Sequence, residues 1–126
     1  MDNPNVFNNV SVPLIHKITN FYKNVYQTNK QINKRDRIGL GQKTESFCLE
    51  IMTLTIEAAY LPKSEKSPVL RESRIKIEII KQLVRLARDL ESISDKKYLE
   101  LEKQLIEISK MNNNWLNWAV GKESPK

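Results

Sequence analysis

One apolar run limits the fold more than any other feature of the chain. Ile75, Ile77, Ile79, Ile80, Leu83, Val84, Leu86, Ala87 and Leu90 recur at helical intervals with neither glycine nor proline among them. At about 100° per residue they cover roughly 200° of a helix, about twice the stripe by which an ordinary surface helix meets its core. Ser67-Pro68, just ahead, supplies a capping hydroxyl and the proline favoured at a first helical position, which predicts a helix over about 68 to 92. Lys76 falls inside the apolar arc, where snorkelling or exposure of the first turns would accommodate it.

Three further stripes follow the same period. Leu14, Ile18, Phe21 with Tyr22, Val25 and Ile32 predict a helix over about 13 to 33, interrupted by "NKRDR". Phe47, Cys48, Leu49, Ile51, Met52, Leu54, Ile56, Ala58 and Ala59 predict a second over about 40 to 61. Its polar positions Ser46, Glu50, Thr53 and Glu57 collapse into one narrow strip, Leu61-Pro62 ends it, and "KSEKSP" reads as a polar loop. Beyond the cap Ser94-Asp95, Tyr98, Leu101, Leu105, Ile108, Met111 and Trp115 form a last stripe to about 119. Four amphipathic helices joined by short loops predict an all-α, up-and-down antiparallel four-helix bundle over 13–119. A flexible segment is expected at 1–12 and a disordered tail at 120–126. The arcs of helices two and three exceed what one bundle needs, and the surplus is expected against other subunits of a homo-oligomer.

Composition agrees. Three glycines and five prolines in 126 residues are too few turn residues for a sheet protein, and the length suits a single domain. Cys48, the only cysteine, has no partner for an internal disulfide and sits among apolar neighbours, as expected of a reduced cytoplasmic protein. No apolar run approaches the roughly 20 residues of a membrane span, and the start of the chain lacks the pattern of a secretory signal, so no membrane partner is expected. A net charge of +6 points to an anionic partner, nucleic acid or an acidic protein surface.

Few residues could carry catalysis. His16 stands alone, so no metal site is expected, and neither Cys48 nor any serine has the context of an activated nucleophile. Glu50 and Glu57 lie on the polar strip and are expected to pair with basic residues of a neighbouring helix. Gly41-Gln42-Lys43-Thr44 resembles a damaged phosphate loop, but that loop needs G-x-x-x-x-G-K-[ST] after a strand, and a helix precedes here. The glycines read instead as a helix-to-helix reversal, with Asp36 as a possible cap. Neither an enzyme nor a cofactor is expected.

The basic residues are more informative. Arg71, Arg74, Lys81, Arg85 and Arg88 fall on one arc of about 100°, with Glu78 alone inside it. Lys30, Lys34, Arg35, Arg37 and Lys43 form a second cluster around the glycines. Guanidinium groups make bidentate contacts to phosphate and carboxylate, and sparse aromatic partners favour backbone recognition over base reading. Trp115 and Trp118 could line a partner groove, although such a pair usually closes the end of a core.

"IGLGQKTESFCLEIMTLTIEAAY" and "LRESRIKIEIIKQLVRLARDLESISDKKYLELEKQLIEISKMNNNW" together resemble the accessory variability determinant (Avd) proteins of diversity-generating retroelements. These are relatives of the four-helix proteins encoded in intervening sequences of bacterial 23S ribosomal RNA genes. The resemblance rests on Leu40-Gly41, Glu57-Ala58-Ala59-Tyr60, Leu83 to Leu90, Ile93-Ser94 with Tyr98, and Ile108, Met111 and Trp115 in that order and spacing. It implies a homopentameric barrel without enzymatic activity. It also implies binding to the retroelement's reverse transcriptase, and to RNA or complementary DNA (cDNA) through the basic surface to which the arginine arc is assigned. Where the family often has glycines before the tryptophan, this chain has Asn112-Asn113-Asn114, a residue type that tolerates the same left-handed conformations.

Overall fold

The computed structural model describes residues 10–121. Residues 1–9 of the expected flexible segment and 122–126 of the expected tail lie outside the described residues, and residues 10–12 are already helical. The first helix, α1, spans Val12–Asn29 with Pro13 in its first turn, and buries Leu14, Ile18, Phe21 and Val25. It ends four residues earlier than its stripe suggests, because Lys30 to Asn33 make the turn that reverses the chain.

That turn is capped by Asn33, not Asp36. Asn33 is extended, its side-chain oxygen accepts from the Asp36 backbone N–H at 2.9 Å, and its amide donates to the Asp36 carboxylate at 2.8 Å. From there the chain coils without a break through a single turn α2 (Lys34–Asp36), a π-helical turn (Arg37–Gly41) and the long helix α3 (Gln42–Tyr60). The glycines expected to reverse the chain therefore lie inside a helix. Gly41 is required by close approach: a Cβ there would lie 2.8 Å from Cγ and Oδ1 of Asn29. The buried Asn29 amide donates to the Gly41 carbonyl at 3.0 Å and to the Glu45 carboxylate at 2.6 Å, tying the end of α1 to the start of α3.

α3 buries Cys48, Ile51, Leu54, Ala58 and Ala59 with two threonines, and ends at extended Leu61. The next helix, α4, spans Lys63–Asp89, so "KSEKSP" is its first turn and Pro68 lies within it. The expected start at Ser67-Pro68 is overridden by Lys66. This lysine is 2% exposed, and its ammonium donates to the carbonyls of Ala58 and Leu61 at 2.6 Å each. Those carbonyls sit at the end of α3, where a helix leaves acceptors unsatisfied and its dipole is negative, and Lys66 can cap them only if its own turn is already helical. α4 ends in a Schellman turn: Ser92 N–H donates to Ala87 O, Glu91 N–H to Arg88 O, and Glu91 takes a φ of 60°.

The last helix, α5, spans Asp95–Ala119, and Ser94 caps it as expected, accepting from the Lys97 N–H. Asn112 to Asn114 continue that helix in right-handed conformation, so no left-handed break occurs there. Asn112 is buried, and its amide donates to the Leu70 carbonyl of α4 at 3.1 Å. Each long helix packs along two others, α1 on α3 and α5, α4 on α3 and α5. The result is the expected four-helix bundle, whose upper end holds the 30–41 turn and the α4–α5 turn. At the lower end Trp115 is buried, and the Lys63 ammonium covers the Trp118 ring at 4.6 Å.

The two helical glycines should respond oppositely to alanine. A Cβ on Gly39 meets nothing within 4 Å, so Gly39→Ala should stabilise the fold by about 0.5–1 kcal/mol through helix propensity. Gly41→Ala displaces the Asn29 amide and should destabilise by about 2 kcal/mol, as overpacking does. Urea unfolding followed by circular dichroism reads both.

Candidate nucleic-acid and partner interface

The arginine arc runs along the side of α4 that flanks α5, and the structure divides it. Toward the upper end the side chains are engaged with α5 or with neighbours on α4. The Arg88 guanidinium lies 4.1 Å above the Tyr98 ring and pairs with Asp89 at 3.2 Å. Arg85 lies beside the Tyr98 phenol, and that contact raises its pKa above the ordinary guanidinium value. The Lys81 ammonium contacts Glu78 at 3.1 Å and the Ser109 hydroxyl at 3.4 Å. Toward the lower end, Arg71 and Arg74 are exposed and form no ion pair among the described residues. Tyr98 therefore organises the arc, a role that a reading of its position as core did not suggest.

The second cluster occupies the upper end. Lys34 and Arg35 are exposed on α2, Arg37 is half-buried, and Lys30 lies over the Tyr26 ring at 4.9 Å. Lys43 lies 5.4 Å over the Phe47 ring. The Ser92 hydroxyl donates to the Asp36 carboxylate, fastening α2 to the α4–α5 turn. Arg35 and Leu90 consequently line one depression with Asn33 and Leu40, next to the end of α4 that carries Arg85 and Arg88. Arg74 and Arg85 are separated by about 16 Å of helix, so the basic surface extends from the upper end down one flank of α4.

The residues considered for catalysis are not assembled. His16 is exposed, and no group of three or more His, Cys, Asp or Glu could hold a metal ion among the described residues. Cys48 is buried, and desolvation pushes its thiol up to about 12, which leaves it protonated and unreactive. Glu50 pairs as expected with a basic residue of the neighbouring helix, and the partner is Lys76 at 3.0 Å. The same ammonium lies 5.4 Å from the Phe47 ring, which explains a lysine inside an apolar arc. Glu57 is exposed and makes no such pair among the described residues.

The surplus apolar surface is also placed. Ile75, Ile79, Leu86 and Leu90 on α4 face outward, as do Leu49, Ile56 and Tyr60 on α3. Leu99 and Ile106 on α5 are exposed too, and their seven-residue spacing was the signal that could have found them.

A family model described as bAvd-like matches residues 13–119. The chain belongs to this family. It is the accessory variability determinant family that the sequence resembles, and the matched span runs from the first turn of α1 to the last residue of α5. No curated protein and no solved structure matches the chain. No helix is long and apolar enough to cross a membrane among the described residues. In this family member the bundle carries the basic surface on α2 and α4, and apolar stripes lie outward on three helices.

The Asp36 carboxyl is held below its ordinary 3.8, chiefly by the Ser92 hydroxyl and then by Asn33. A lowered folded-state pKa stabilises above the unfolded value, and that contribution disappears as the pH falls through the lowered one. Ser92→Ala should move the Asp36 titration back up toward 3.8, measured by NMR across an acid series. An unchanged titration would mean that the upper-end fastening does not persist in solution.

Proposed function

We propose that the chain is a non-catalytic, cytoplasmic accessory protein of a diversity-generating retroelement. It binds the element's reverse transcriptase, and RNA or cDNA through its basic surface, supporting mutagenic reverse transcription. It acts as a homo-oligomer, which the resemblance makes a pentameric barrel. The observation that carries this reading is that Arg71 and Arg74 are exposed and form no ion pair among the described residues in a member of the bAvd-like family, on a flank continuous with the upper basic cluster. Guanidinium groups without internal carboxylate partners remain available for phosphate, and contacts spread over two faces suit backbone tracking better than base reading. The exposed apolar faces also favour a second reading, an intervening-sequence-type scaffold whose role is self-assembly alone.

Fluorescence anisotropy with a single-stranded RNA over a series of salt concentrations separates the two. Binding should weaken steeply with salt, and Arg71→Gln with Arg74→Gln should reduce affinity about tenfold and lower the salt slope by roughly 1–2. Copurification with the reverse transcriptase should persist at moderate salt. Assembly with neither RNA nor reverse-transcriptase binding would leave the scaffold reading.

A further inference from the structure

α5 carries a basic row of its own. Lys96, Lys103 and Lys110 recur every seven residues, which on the helical wheel makes one straight row about 21 Å long. All three are exposed and form no ion pair among the described residues. The acids one turn along are turned toward α1 instead: Glu100 pairs with Lys97 and accepts from Asn24, and Glu107 pairs with Lys17.

The lysine row runs beside the arginine arc of α4. Asn112 donates to the Leu70 carbonyl and the Tyr98 ring lies under Arg88. In antiparallel helices that register sets Lys110 within about a turn of the level of Arg74, Lys103 of Lys81, and Lys96 of Arg88. Packed helix axes lie about 8–10 Å apart, so the face has two parallel basic rows, with exposed Leu99 and Ile106 between them. Four acids share it: Glu78, Asp89, Asp95 and Glu102. Glu78 pairs with Lys81 and Asp89 with Arg88, Glu102 lies near Arg85, and Asp95 occupies the first turn of α5, where the helix dipole favours negative charge. Glu72 falls on the half of α4 turned away from α5. Against these four acids stand eight basic residues, so the face holds +4 of the chain's net +6.

We propose that the α4–α5 face takes an A-form duplex, double-stranded RNA or an RNA–DNA hybrid, with the arginine row on one backbone and the lysine row on the other. A single strand offers one row of phosphates and is held by bases stacked on aromatic rings. α4 contains no aromatic residue, Arg88 covers Tyr98, Trp115 is buried, and Lys63 lies over Trp118. An A-form duplex instead presents two backbones across a wide, shallow minor groove, and is recognised by shape and phosphate contact. The proposal rests on the nucleic-acid binding of the preceding reading and deepens it by naming the form of the nucleic acid and the three lysines.

Fluorescence anisotropy with one sequence prepared as single-stranded RNA, RNA duplex and RNA–DNA hybrid tests it. At equal salt both duplexes should bind about tenfold tighter than the single strand. Lys103→Gln should lower the salt slope of duplex binding by roughly 1, and the triple variant Lys96→Gln, Lys103→Gln and Lys110→Gln by roughly 3, with at least a tenfold loss of affinity. Circular dichroism should not change, since the three side chains are exposed. Equal affinity for single strand and duplex would overturn the proposal, and so would a duplex affinity that the triple variant leaves intact. In either case, weaker RNA binding by the Arg71→Gln, Arg74→Gln variant would keep the preceding reading standing. Loss of reverse-transcriptase copurification from the triple variant, with duplex binding undiminished, would give the lysine row to a protein partner and also overturn it. Binding to none of the probes would overturn both readings.

Discussion

Four helices packed side by side can turn only one side each toward the shared core, and the structure follows from how this chain meets that constraint. α1 has one apolar stripe to bury and buries it, while α5 buries Tyr98, Leu101, Leu105 and Ile108 and leaves Leu99 and Ile106 outside. α4 has nearly twice that width, so Leu70, Ile77, Ile80 and Val84 go inward and Ile75, Ile79, Leu86 and Leu90 stay outside. Lys76 lies on the flank between the two sets, and it is tolerable there because Glu50 and the Phe47 ring receive its ammonium. The same rotation directs the arginine arc along α5, where Tyr98 takes up Arg85 and Arg88, and Arg71 and Arg74 stay exposed without an ion pair among the described residues.

Polar contacts settle where the helices begin and end. Hydrophobic burial is roughly indifferent to a turn more or less of helix at a bundle end, whereas hydrogen bonds to backbone carbonyls are directional. Asn29 on the Gly41 carbonyl draws α1 and α3 together at the upper end, and Lys66 on the Ala58 and Leu61 carbonyls closes the α3–α4 corner at the lower end. Asn112, bound to the Leu70 carbonyl, joins α4 to α5 between them. Each of these side chains is buried, so losing its partner would expose a desolvated donor or acceptor inside the core. The basic upper end inherits its position from this framework, through Asp36 and Ser92.

Much of the candidate site was legible in the sequence because charge patterning along a helix needs only the period. The arc from Arg71 to Arg88 lies on one flank, as wheel geometry requires. Its division into engaged and free arginines was not legible, since that depends on Tyr98 of another helix. The glycines misled for a related reason. Gly39 and Gly41 look like turn residues, yet both are helical, and Gly41 answers to a side chain twelve positions earlier. Ser67-Pro68 is a sound helix start locally, but it lost to a lysine whose acceptors belong to the preceding helix.

The sequence by itself determined the four long helices and their inward stripes, the Ser94 cap and the family, because each is written in spacing along one segment. Tertiary structure decided the reversal at Lys30 to Asn33, the early start of α4, the burial of Lys66 and Asn112, and which apolar and basic side chains face solvent. Those outcomes depend on contacts between residues distant in sequence, and a helical period carries no information about the neighbour that a given face will meet.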